Sequence, residues 1–505
     1  MPDLIEPMDE HNRRLVANVH PPDWVNPRPA PVYNLVVIGA GTAGLVSAAG
    51  SAGLGAKVAL IERHLMGGDC LNVGCVPSKG VIRAARAWQD ARDAARRFGG
   101  PEVDSAVRGD FAAVMERMRR IRAGISVHDS APRFQGLGID VFLGDGRFVA
   151  PDAVEVGGQR LRFRRAVVAT GGRAAVPSVP GLAESGYLTN ETVFNLTELP
   201  ARLAVVGGGP IGCELAQTFA RFGTAVTVLD KDAHVLIRED ADAAEVVQKA
   251  MLHDGVRLEL NAKLLEVRRD GDVRTLVFES GGTRRELAVD HVLVAAGRTP
   301  NLEGLGLEAA GIAFTPKGVQ VDDRLRTTNK AVYACGDVAS RYQFTHLADA
   351  QARIVIQNAL FHGRSKASAL TIPWCTYTSP EIAHVGMYEK DAKEKGIEVD
   401  TLTIPLSAND RALLDGDDEG FLRVHLEKGK DRILGATLVA EHAGEMIGEL
   451  CLAITHGIGL GKIASVIHPY PTQSEVIKKA ADTWRRGKLT PTVQKIFDWW
   501  FRRQL

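Results

Sequence analysis

Two cysteines stand close together near residue 70, in the stretch GGDCLNVGCVPSK that spans residues 67–79. Four residues separate Cys70 from Cys75, and Lys79 follows four positions later. A cysteine pair at this spacing can be a structural disulfide, half of a metal site or a redox couple. A zinc site would need a second pair of ligands, and the sequence offers no second close cysteine pair, so the metal interpretation is weak.

The geometry of a disulfide favours the redox couple. On an ideal helix, positions i and i+5 lie roughly 140° apart, with their Cα atoms about 8.6 Å apart. A disulfide needs a Cα separation of about 4.4–6.8 Å. A bridge from Cys70 to Cys75 therefore requires a bent turn, which Asn72 and Gly74 would help to form. A strained disulfide is easily reduced, and a disulfide that closes a short loop adds little stability to the fold. The pair is therefore better suited to electron transfer than to the role of a structural disulfide.

Residues 34–63, NLVVIGAGTAGLVSAAGSAGLGAKVALIER, predict a strand, a glycine turn, a helix and a second strand. Gly39 allows the tight turn, Gly41 lets a pyrophosphate approach the backbone, and Gly44 lets helix and strand pack closely. The helix N-terminus would face the phosphates. Glu62, at the end of the second strand, can accept hydrogen bonds from ribose hydroxyls. This context predicts a dinucleotide site.

The same pattern recurs in residues 201–232, ARLAVVGGGPIGCELAQTFARFGTAVTVLDKD. Here the three glycines are Gly207, Gly209 and Gly212, and Asp230 ends the second strand. Two fingerprints in one chain predict two dinucleotides. A carboxylate at Asp230 accepts a ribose 2′-hydroxyl and repels a 2′-phosphate, which favours NADH over NADPH.

Three more apolar strands end in turns that would complete these sites. They are AVVATGG (166–172), VLVAAGRTPN (292–301) and AVYACGDVA (331–339), and the last delivers Asp337 to a polar ligand. The first and third would close the domain of the first dinucleotide, and the second would close the other domain. Further cofactor contacts are expected at Gly68, Gly146, Thr170, Gly171 and Gly297.

From about residue 33 to residue 482 the chain resembles the class I pyridine nucleotide-disulfide oxidoreductases, on the branch of dihydrolipoamide dehydrogenase and mercuric reductase. The motifs GxGxxG, GGxCxNxGCxPSK, ATG, a second GxGxxG and ACGD stand in the order typical of that family. The resemblance implies FAD in the first site, NAD(P)H in the second and a C-terminal dimerisation domain. It also implies that Cys75 faces the flavin, that Cys70 is the interchange thiol and that Lys79, paired with Glu214, lies near the flavin N5.

The C-terminal motif departs from the family pattern of His-Pro-Thr followed by Glu. In IHPYPTQSE (467–475), aligning Pro-Thr and Glu475 places Tyr470 where the family has its histidine, with His468 two residues earlier. A phenol with a pKa of about 10 is a weaker proton shuttle at neutral pH than an imidazole. Mercuric reductases are similar in carrying a tyrosine here, but they also have a C-terminal cysteine pair, and this chain ends in DWWFRRQL.

Composition excludes several classes of protein. The chain has 61 basic residues (Lys and Arg) and 61 acidic residues (Asp and Glu), so its formal net charge is zero. This balance argues against a nucleic-acid-binding surface. Six cysteines in 505 residues are too few for a secreted disulfide scaffold, and the acidic N-terminus lacks the apolar stretch of a secretory signal. A cytoplasmic protein is expected. For the cysteines outside the pair we expect roles in apolar cores; they are Cys213, Cys335, Cys375 and Cys451.

The predicted fold class is α/β, with two Rossmann-like nucleotide-binding domains and a C-terminal α+β dimerisation domain. The expected boundaries are a flexible proline-rich arm (1–32), the FAD-binding domain (33–180 and 301–368), the NAD(P)H-binding domain (181–300), the interface domain (369–482) and an amphipathic tail (483–505). In the tail, one helical face carries Val493, Ile496, Phe497 and Trp500, with Phe501 beside it. This face predicts either packing onto the dimer or contact with a membrane surface.

The expected function is that of an FAD-dependent NAD(P)H oxidoreductase. Electrons would pass from NAD(P)H through FAD to the Cys70–Cys75 disulfide and on to a metal or small electrophilic acceptor, as in mercuric reductase. One alternative is dihydrolipoamide dehydrogenase or another dithiol–disulfide reductase. The alternative of another class is a non-catalytic flavoprotein that binds partners or a membrane surface through its tail. The expected assembly is a homodimer.

Overall fold

The computed structural model describes residues 5–102 and 109–505. These residues form two compact units. The first comprises residues up to 95, 101–231 and 257–370, and the second comprises residues 96–100, 232–256 and 371–505. Each unit has a sheet and a hydrophobic core of its own.

The strands, in chain order, are β1 (Tyr33–Ile38), β2 (Val58–Glu62), β3 (Asp140–Leu143), β4 (Arg147–Ala150), β5 (Ala153–Val156), β6 (Gln159–Val168), β7 (Gly172–Ala174), β8 (Arg202–Val206), β9 (Ala225–Leu229), β10 (Arg257–Glu259), β11 (Ala262–Asp270), β12 (Val273–Ser280), β13 (Thr283–Val289), β14 (His291–Val294), β15 (Arg298–Pro300), β16 (Phe314–Thr315), β17 (Gly318–Val319), β18 (Val332–Ala334), β19 (Pro373–Thr376), β20 (Glu381–Gly386), β21 (Val399–Pro405), β22 (Phe421–Glu427) and β23 (Ile433–Ala440).

The α-helices, in chain order, are α1 (Glu10–Val19), α2 (Thr42–Gly53), α3 (Gly68–Asn72), α4 (Cys75–Phe98), α5 (Phe111–Ile125), α6 (Ala131–Gly136), α7 (Leu182–Ser185), α8 (Pro210–Phe222), α9 (Ala241–His253), α10 (Thr345–Leu360), α11 (Glu389–Glu394), α12 (Asp410–Asp415), α13 (Ala443–Thr455), α14 (Leu460–Ile463), α15 (Glu475–Gly487) and α16 (Pro491–Arg502).

The main sheet of the first unit has the order β3-β2-β1-β6-β5-β4, and β18 also pairs with β6. Its inner strands are parallel and buried on both faces, which explains their continuous apolar sequences. Because β18 pairs with β6 in the register Val332↔Ala166, residues near 332 complete the sheet begun at residue 33. The predicted roles of the stretches 166–172 and 331–339 in closing this sheet are confirmed.

The second nucleotide-binding motif forms a separate parallel sheet in the order β10-β9-β8-β14. Strand β14 pairs with β8, as the sequence predicted for the stretch 292–301. An antiparallel sheet, β11-β12-β13, lies between β10 and β14 in the chain and buries Leu276 and Phe278 on one side. The α/β fold class with two nucleotide-binding sheets is therefore confirmed, whereas the domain boundaries stay predictions.

The N-terminal arm differs from its prediction. Residues 10–19 form α1, whose N-cap Asp9 accepts a hydrogen bond from the Asn12 backbone N–H. Leu15 and Val19 are fully buried in the core of the first unit, and removing a buried Leu side chain typically costs about 2–5 kcal/mol. The expectation of a flexible arm is therefore wrong for residues 10–19, because the apolar face of α1 is packed.

The second unit is built on an antiparallel sheet in the order β19-β20-β23-β22-β21. Helices α13 and α15 bury apolar faces in its core, and β23 is buried at every position. Helix α16 is different because none of its residues is buried. Among residues 5–102 and 109–505, every helix is too short or too polar to cross a membrane.

Candidate active site

The two cysteines lie in a bend between consecutive helices. Cys70 is in the short helix α3, and Cys75 is the first residue of α4. The Asn72 side chain donates hydrogen bonds to the carbonyl groups of Met66, at 3.0 Å, and Gly68, at 2.9 Å. Gly74 is required at the bend, because a Cβ there would lie 2.7 Å from the Asp69 carbonyl oxygen. The predicted roles of Asn72 and Gly74 in the turn are confirmed.

The thiols of Cys70 and Cys75 are free and hydrogen-bonded to each other. The hydrogen bond from Cys70 is the main cause that lowers the pKa of Cys75 to about 6, and Thr345 and Lys79 lower it further. The same hydrogen bond raises the pKa of Cys70. The position of Cys75 at the N-terminus of α4 also favours a thiolate, because the helix dipole is positive there. Cys75 is therefore the stronger nucleophile of the pair.

Thr345 is a site residue that the sequence did not reveal. It begins α10, and its Oγ1 lies 3.5 Å from the Cys75 Sγ. No motif identifies it, because a threonine at a helix start is ordinary and 270 residues separate it from Cys75. The contact depends on the packing of α10 in the first unit.

Lys79 lies one helical turn beyond Cys75 on α4 and pairs with Glu214 of α8. The Lys79 Nζ lies 2.8 Å from the Glu214 Oε2, and the Glu214 side chain is only 8% exposed. Because a buried carboxylate is stabilised by an adjacent cation, the two residues are held together. The predicted Lys79–Glu214 pair is thus present, although its role beside a flavin stays a prediction.

The first glycine turn fits a pyrophosphate. Gly39 has φ +101°, and a Cβ at Gly44 would lie 1.8 Å from the Gly39 carbonyl oxygen, so both positions require glycine. Gly41 caps α2 without any side-chain hydrogen bond to the helix N-terminus, which leaves backbone N–H groups for an anion. A Cβ at Gly68 would lie 2.7 Å from the Gly41 Cα, so the turn and the start of α3 are in close contact.

Glu62 and Asp337 are both mostly buried at the ends of their strands. The carboxylate of Glu62 accepts hydrogen bonds from the backbone N–H groups of Ala40, at 2.7 Å, and His64, at 2.8 Å. Burial raises the pKa of Glu62. The carboxylate of Asp337 lies 3.4 Å from the Arg298 Nε, and Arg298 also pairs with Asp69, beside Cys70. Sequence reasoning missed this bridge by Arg298, because the residues are distant in the chain.

The remaining predicted cofactor residues lie at turns. The Thr170 Oγ1 donates to the Asn301 carbonyl, at 2.8 Å, and the Asn301 side chain donates back to the Thr170 carbonyl, at 2.9 Å. Strands β7 and β15 pair antiparallel, so Gly171 lies beside Asn301 at one end of this short ladder and Gly297 lies beside Ala175 at the other. A Cβ at Gly146 would lie 2.9 Å from the Ile61 side chain, which is a packing reason for that glycine.

The second glycine turn repeats the geometry of the first. Gly207 has φ +113°, and a Cβ at Gly212 would lie 1.9 Å from the Gly207 carbonyl oxygen. Gly209 caps α8 without a side-chain hydrogen bond, and its missing Cβ would meet nothing within 4 Å. Asp230 accepts a hydrogen bond from the Gly208 backbone N–H. These residues fit a second dinucleotide.

The C-terminal motif lies in the second unit. The Tyr470 side chain is 70% exposed, and its hydroxyl donates to the Asp410 carboxylate, at 3.0 Å. This hydrogen bond raises the pKa of Tyr470. Glu475 begins α15, and its Oε2 is buried without a hydrogen-bond partner. Asp410 is the acceptor that sequence reasoning missed, because it lies 60 residues upstream.

His468 faces a different carboxylate. Its imidazole Nε2 lies 3.1 Å from both carboxylate oxygens of Glu449, and its side chain is only 6% exposed. The imidazole is therefore engaged within the second unit, whereas the Tyr470 phenol is open to solvent.

The other four cysteines lie in apolar surroundings, as predicted. Cys213 and Cys335 are fully buried, and Cys375 and Cys451 are partly buried against the core of the second unit. Burial raises the pKa of the Cys213 and Cys335 thiols.

Comparison with known proteins agrees with this geometry. Residues 33–352 match the pyridine nucleotide-disulphide oxidoreductase family, and residues 372–481 match the dimerisation domain of the same family. The chain belongs to this family.

Members of the family with established names are similar over most of the chain. The mercuric reductase of Bacillus cereus is 35% identical over 90% of this chain and 71% of its own length. The dihydrolipoyl dehydrogenase of Geobacillus stearothermophilus is 34% identical over 88% of this chain and 95% of its own length. The structure of the HOCl-induced flavoprotein disulfide reductase RclA from Escherichia coli covers 89% of this chain and 99% of its own, with a TM-score of 0.78 and 30% identity.

Membership of the family confirms several predictions. The pyridine nucleotide-disulphide oxidoreductases take FAD and NAD(P)H, and this chain has two glycine turns that fit them. The protein is therefore an enzyme, a NAD(P)H-dependent flavoprotein disulfide or metal oxidoreductase. The predicted fold, with its C-terminal dimerisation domain, is confirmed as well.

Proposed function

We propose that this oxidoreductase uses Cys70 and Cys75 as its redox pair, with Cys75 as the thiolate next to FAD and Cys70 as the thiol that meets the acceptor. The lowered pKa of Cys75 supports this division, as does the raised pKa of Cys70. FAD, when bound, accepts two electrons from NAD(P)H and delivers them to the disulfide. Lys79 and Glu214 would hold the isoalloxazine side of FAD, and Glu62 and Asp337 its ribose and ribityl side.

The acceptor we propose is a metal ion bound by thiolates, or a small electrophile. The observation that carries this proposal is the state of the C-terminal motif, where the Tyr470 hydroxyl donates to Asp410 and the only imidazole in the motif, His468, is engaged by Glu449. A phenol can hydrogen-bond a thiolate or bind a soft metal, but it shuttles protons poorly at neutral pH. Relatives named mercuric reductase are among the most similar proteins. With a thiolate-bound acceptor, the overall reaction is Hg(SR)₂ + NADH + H⁺ → Hg⁰ + NAD⁺ + 2 RSH.

We propose that the active enzyme is a homodimer in which Tyr470 and Glu475 of one subunit serve the cysteine pair of the other. The matched dimerisation domain supports this assembly. So does the exposure of a short apolar segment next to the motif, because Val466 is 48% exposed and Ile467 is 93% exposed in the single chain.

A comparison of acceptors tests the function. With NADH as donor, turnover of Hg(II) in excess small thiol should exceed turnover of lipoamide and glutathione disulfide. Tyr470→Phe should lower kcat for Hg(II) at least tenfold and leave the rate of flavin reduction by NADH unchanged. Tyr470→His should raise lipoamide turnover. Robust lipoamide turnover that His468→Ala abolishes and Tyr470→Phe leaves intact would instead identify a dithiol–disulfide reductase that uses His468.

We further propose that the tail contacts an anionic membrane surface. All of α16 is solvent-accessible, with Trp499, Trp500 and Phe501 each more than half exposed. Residues 483–505 carry six Lys or Arg against the single acid Asp498. A basic helix with exposed aromatic residues suits an anionic lipid interface. We place the enzyme itself in the cytoplasm, because free cysteines together with a catalytic cysteine pair are typical of reducing compartments.

Vesicle sedimentation tests the tail. The protein should bind vesicles that contain anionic lipid and not vesicles of neutral lipid. The double substitution Trp499→Ala, Trp500→Ala should abolish binding, whereas Phe361→Ala, at a residue 62% exposed elsewhere, should not change it. If the double variant instead dissociates the dimer and vesicles never bind, the tail is a subunit contact.

A further inference from the structure

A buried arginine joins the N-terminal helix to the cysteine bend. Arg122 of α5 is fully buried, and its Nη2 donates to the Asn12 Oδ1 of α1, at 2.8 Å. Its Nη1 donates to the backbone carbonyl of Asn72, at 2.6 Å. Asn72 stands between Cys70 and Cys75, so a single guanidinium links α1 to the backbone that connects the two thiols.

The Asn72 carbonyl depends on Arg122 for a hydrogen-bond donor. Asn72 ends α3, and the last carbonyl groups of a helix have no partner within it. Asn72 is only 2% exposed, so water does not replace the missing donor. The carbonyl of the next residue, Val73, accepts a hydrogen bond from the Asn190 side chain, at 3.3 Å. Two distant side chains thus hold consecutive peptide groups of the bend.

Asn12 fixes Arg122 in turn. Asn12 is fully buried, its backbone N–H donates to the Asp9 side chain at 2.8 Å, and its Nδ2 donates to the Pro7 carbonyl at 2.8 Å. These bonds orient its Oδ1 towards the guanidinium. Helix α1 precedes residue 33, where the family match begins. The orientation of Arg122 therefore depends on a segment outside the matched region.

We propose that Arg122, oriented by Asn12, is a positioning residue that keeps the Cys70–Cys75 segment in the bent conformation that a disulfide requires. This inference rests on the proposed role of the two cysteines as the redox pair. A disulfide fixes its two sulfurs at bonding distance, whereas the dithiol tolerates a wider separation. Holding the bend therefore raises the effective concentration of one thiol at the other and favours the disulfide.

The same two helices provide a matched control. Arg119 of α5 pairs with Asp9, with 2.5 Å between its Nε and the Asp9 Oδ2, and it is 7% exposed. This ion pair also ties α1 to α5, but its guanidinium donates to Asp9 and not to the cysteine segment. Arg119→Met therefore weakens the attachment of α1 while it leaves the Asn72 carbonyl bonded to Arg122.

The experiment measures the equilibrium protein-S₂ + 2 GSH ⇌ protein-(SH)₂ + GSSG with the full-length, FAD-loaded protein in the absence of NADH. The dithiol is quantified by alkylation and mass spectrometry of the peptide that contains Cys70 and Cys75. Arg122→Met should shift the equilibrium towards the dithiol by about tenfold, which is about 30 mV for a two-electron couple. Arg122→Lys keeps the positive charge but cannot make both hydrogen bonds of the guanidinium, so it should shift the equilibrium less than Arg122→Met does. Arg119→Met should stay within twofold of wild type.

Asn12→Ala is the second variant, for use if Arg122→Met does not fold, and it should shift the equilibrium in the same direction. The inference is wrong if Arg122→Met or Asn12→Ala leaves the thiol–disulfide equilibrium at its wild-type value and lowers Tm as Arg119→Met does. Arg122 would then be only a structural residue. A wild-type protein that forms no Cys70–Cys75 disulfide would overturn the redox pair itself, and the inference with it.

Discussion

Thr345→Val, made in a Cys70→Ser background, tests the electrostatics of the Cys75 thiol. Serine keeps an O–H donor where Cys70 stood, and it leaves Cys75 as the single thiol of the pair. Valine has nearly the size of threonine but lacks the hydroxyl, whose Oγ1 lies 3.5 Å from the Cys75 Sγ. The substitution therefore removes the hydrogen bond from the Thr345 hydroxyl to the thiolate and nearly keeps the volume of the side chain.

The expected size of the effect follows from the pKa of Cys75, which is lowered from 9.0 to about 6. With that pKa, about 90% of Cys75 is thiolate at pH 7, against about 1% for a thiol of pKa 9. Cys75 is exposed, so we take the lost hydrogen bond to be worth about 1 kcal/mol. That energy raises the pKa by about 0.7 unit and lowers the thiolate fraction at pH 7 to about two thirds.

Two readouts follow the titration. The rate of alkylation of Cys75 by iodoacetamide, measured by peptide mass spectrometry, rises as the thiolate forms, so its midpoint gives the pKa. The charge-transfer absorbance of the FAD-loaded protein should titrate with the same midpoint, present above about pH 6 and lost below it. Thr345→Val should move both midpoints upward, and Thr283→Val, on a distant hairpin, should move neither.

Three results would refute this reasoning. One is a midpoint above about pH 8 in the Cys70→Ser background, which would mean that the surroundings do not stabilise the thiolate. Another is an identical midpoint with and without the Thr345 hydroxyl. The third is a charge-transfer band in Cys75→Ser but not in Cys70→Ser, which would reverse the two assignments.

Three other predictions concern the cofactor residues. Glu62→Ala should lower the amount of FAD retained per chain after gel filtration, and unchanged occupancy would contradict its ribose contact. The kcat/KM of the wild type should be higher with NADH than with NADPH. Asp230→Ala should lower the ratio of kcat/KM with NADH to kcat/KM with NADPH. A wild-type kcat/KM that is equal or higher with NADPH would contradict the role of Asp230. Lys79→Met removes the cation that lies 2.8 Å from the buried Glu214 carboxylate, so the free energy of unfolding in urea should fall by about 1–3 kcal/mol. The double variant with Glu214→Gln should recover part of that loss, and an unchanged free energy of unfolding in Lys79→Met would refute the argument.

The sequence predicts the nucleotide sites well because their chemistry is local. A glycine turn, a helix N-terminus and an acid at the next strand end lie within about 25 residues of one another, and both copies have the expected backbone geometry. The bend between Cys70 and Cys75 is also local, so Asn72 and Gly74 could be assigned from their types and positions alone.

The residues that the sequence missed act over long distances in the chain. Thr345, Arg298 and Arg122 reach the cysteine segment from other elements, and their positions are fixed only by tertiary packing. The prediction of a flexible arm is wrong at residues 10–19 for a related reason. The prolines of the arm suggest flexibility. The apolar face of α1 has only two fully buried apolar residues, Leu15 and Val19, and two apolar positions are too few to predict a packed helix from the sequence.

The burial of Cys213 and Cys335 has a consequence for their reactivity. Soft metals and alkylating agents attack thiolates, and burial raises the pKa of Cys335 to about 12. At pH 7, only about one molecule in 10⁵ carries that thiolate, and Cys335 is fully covered by protein. Cys213 is protected in the same way. These two cysteines are thereby protected from electrophiles, which in solution reach the exposed Cys75 thiol of the Cys70–Cys75 pair more readily.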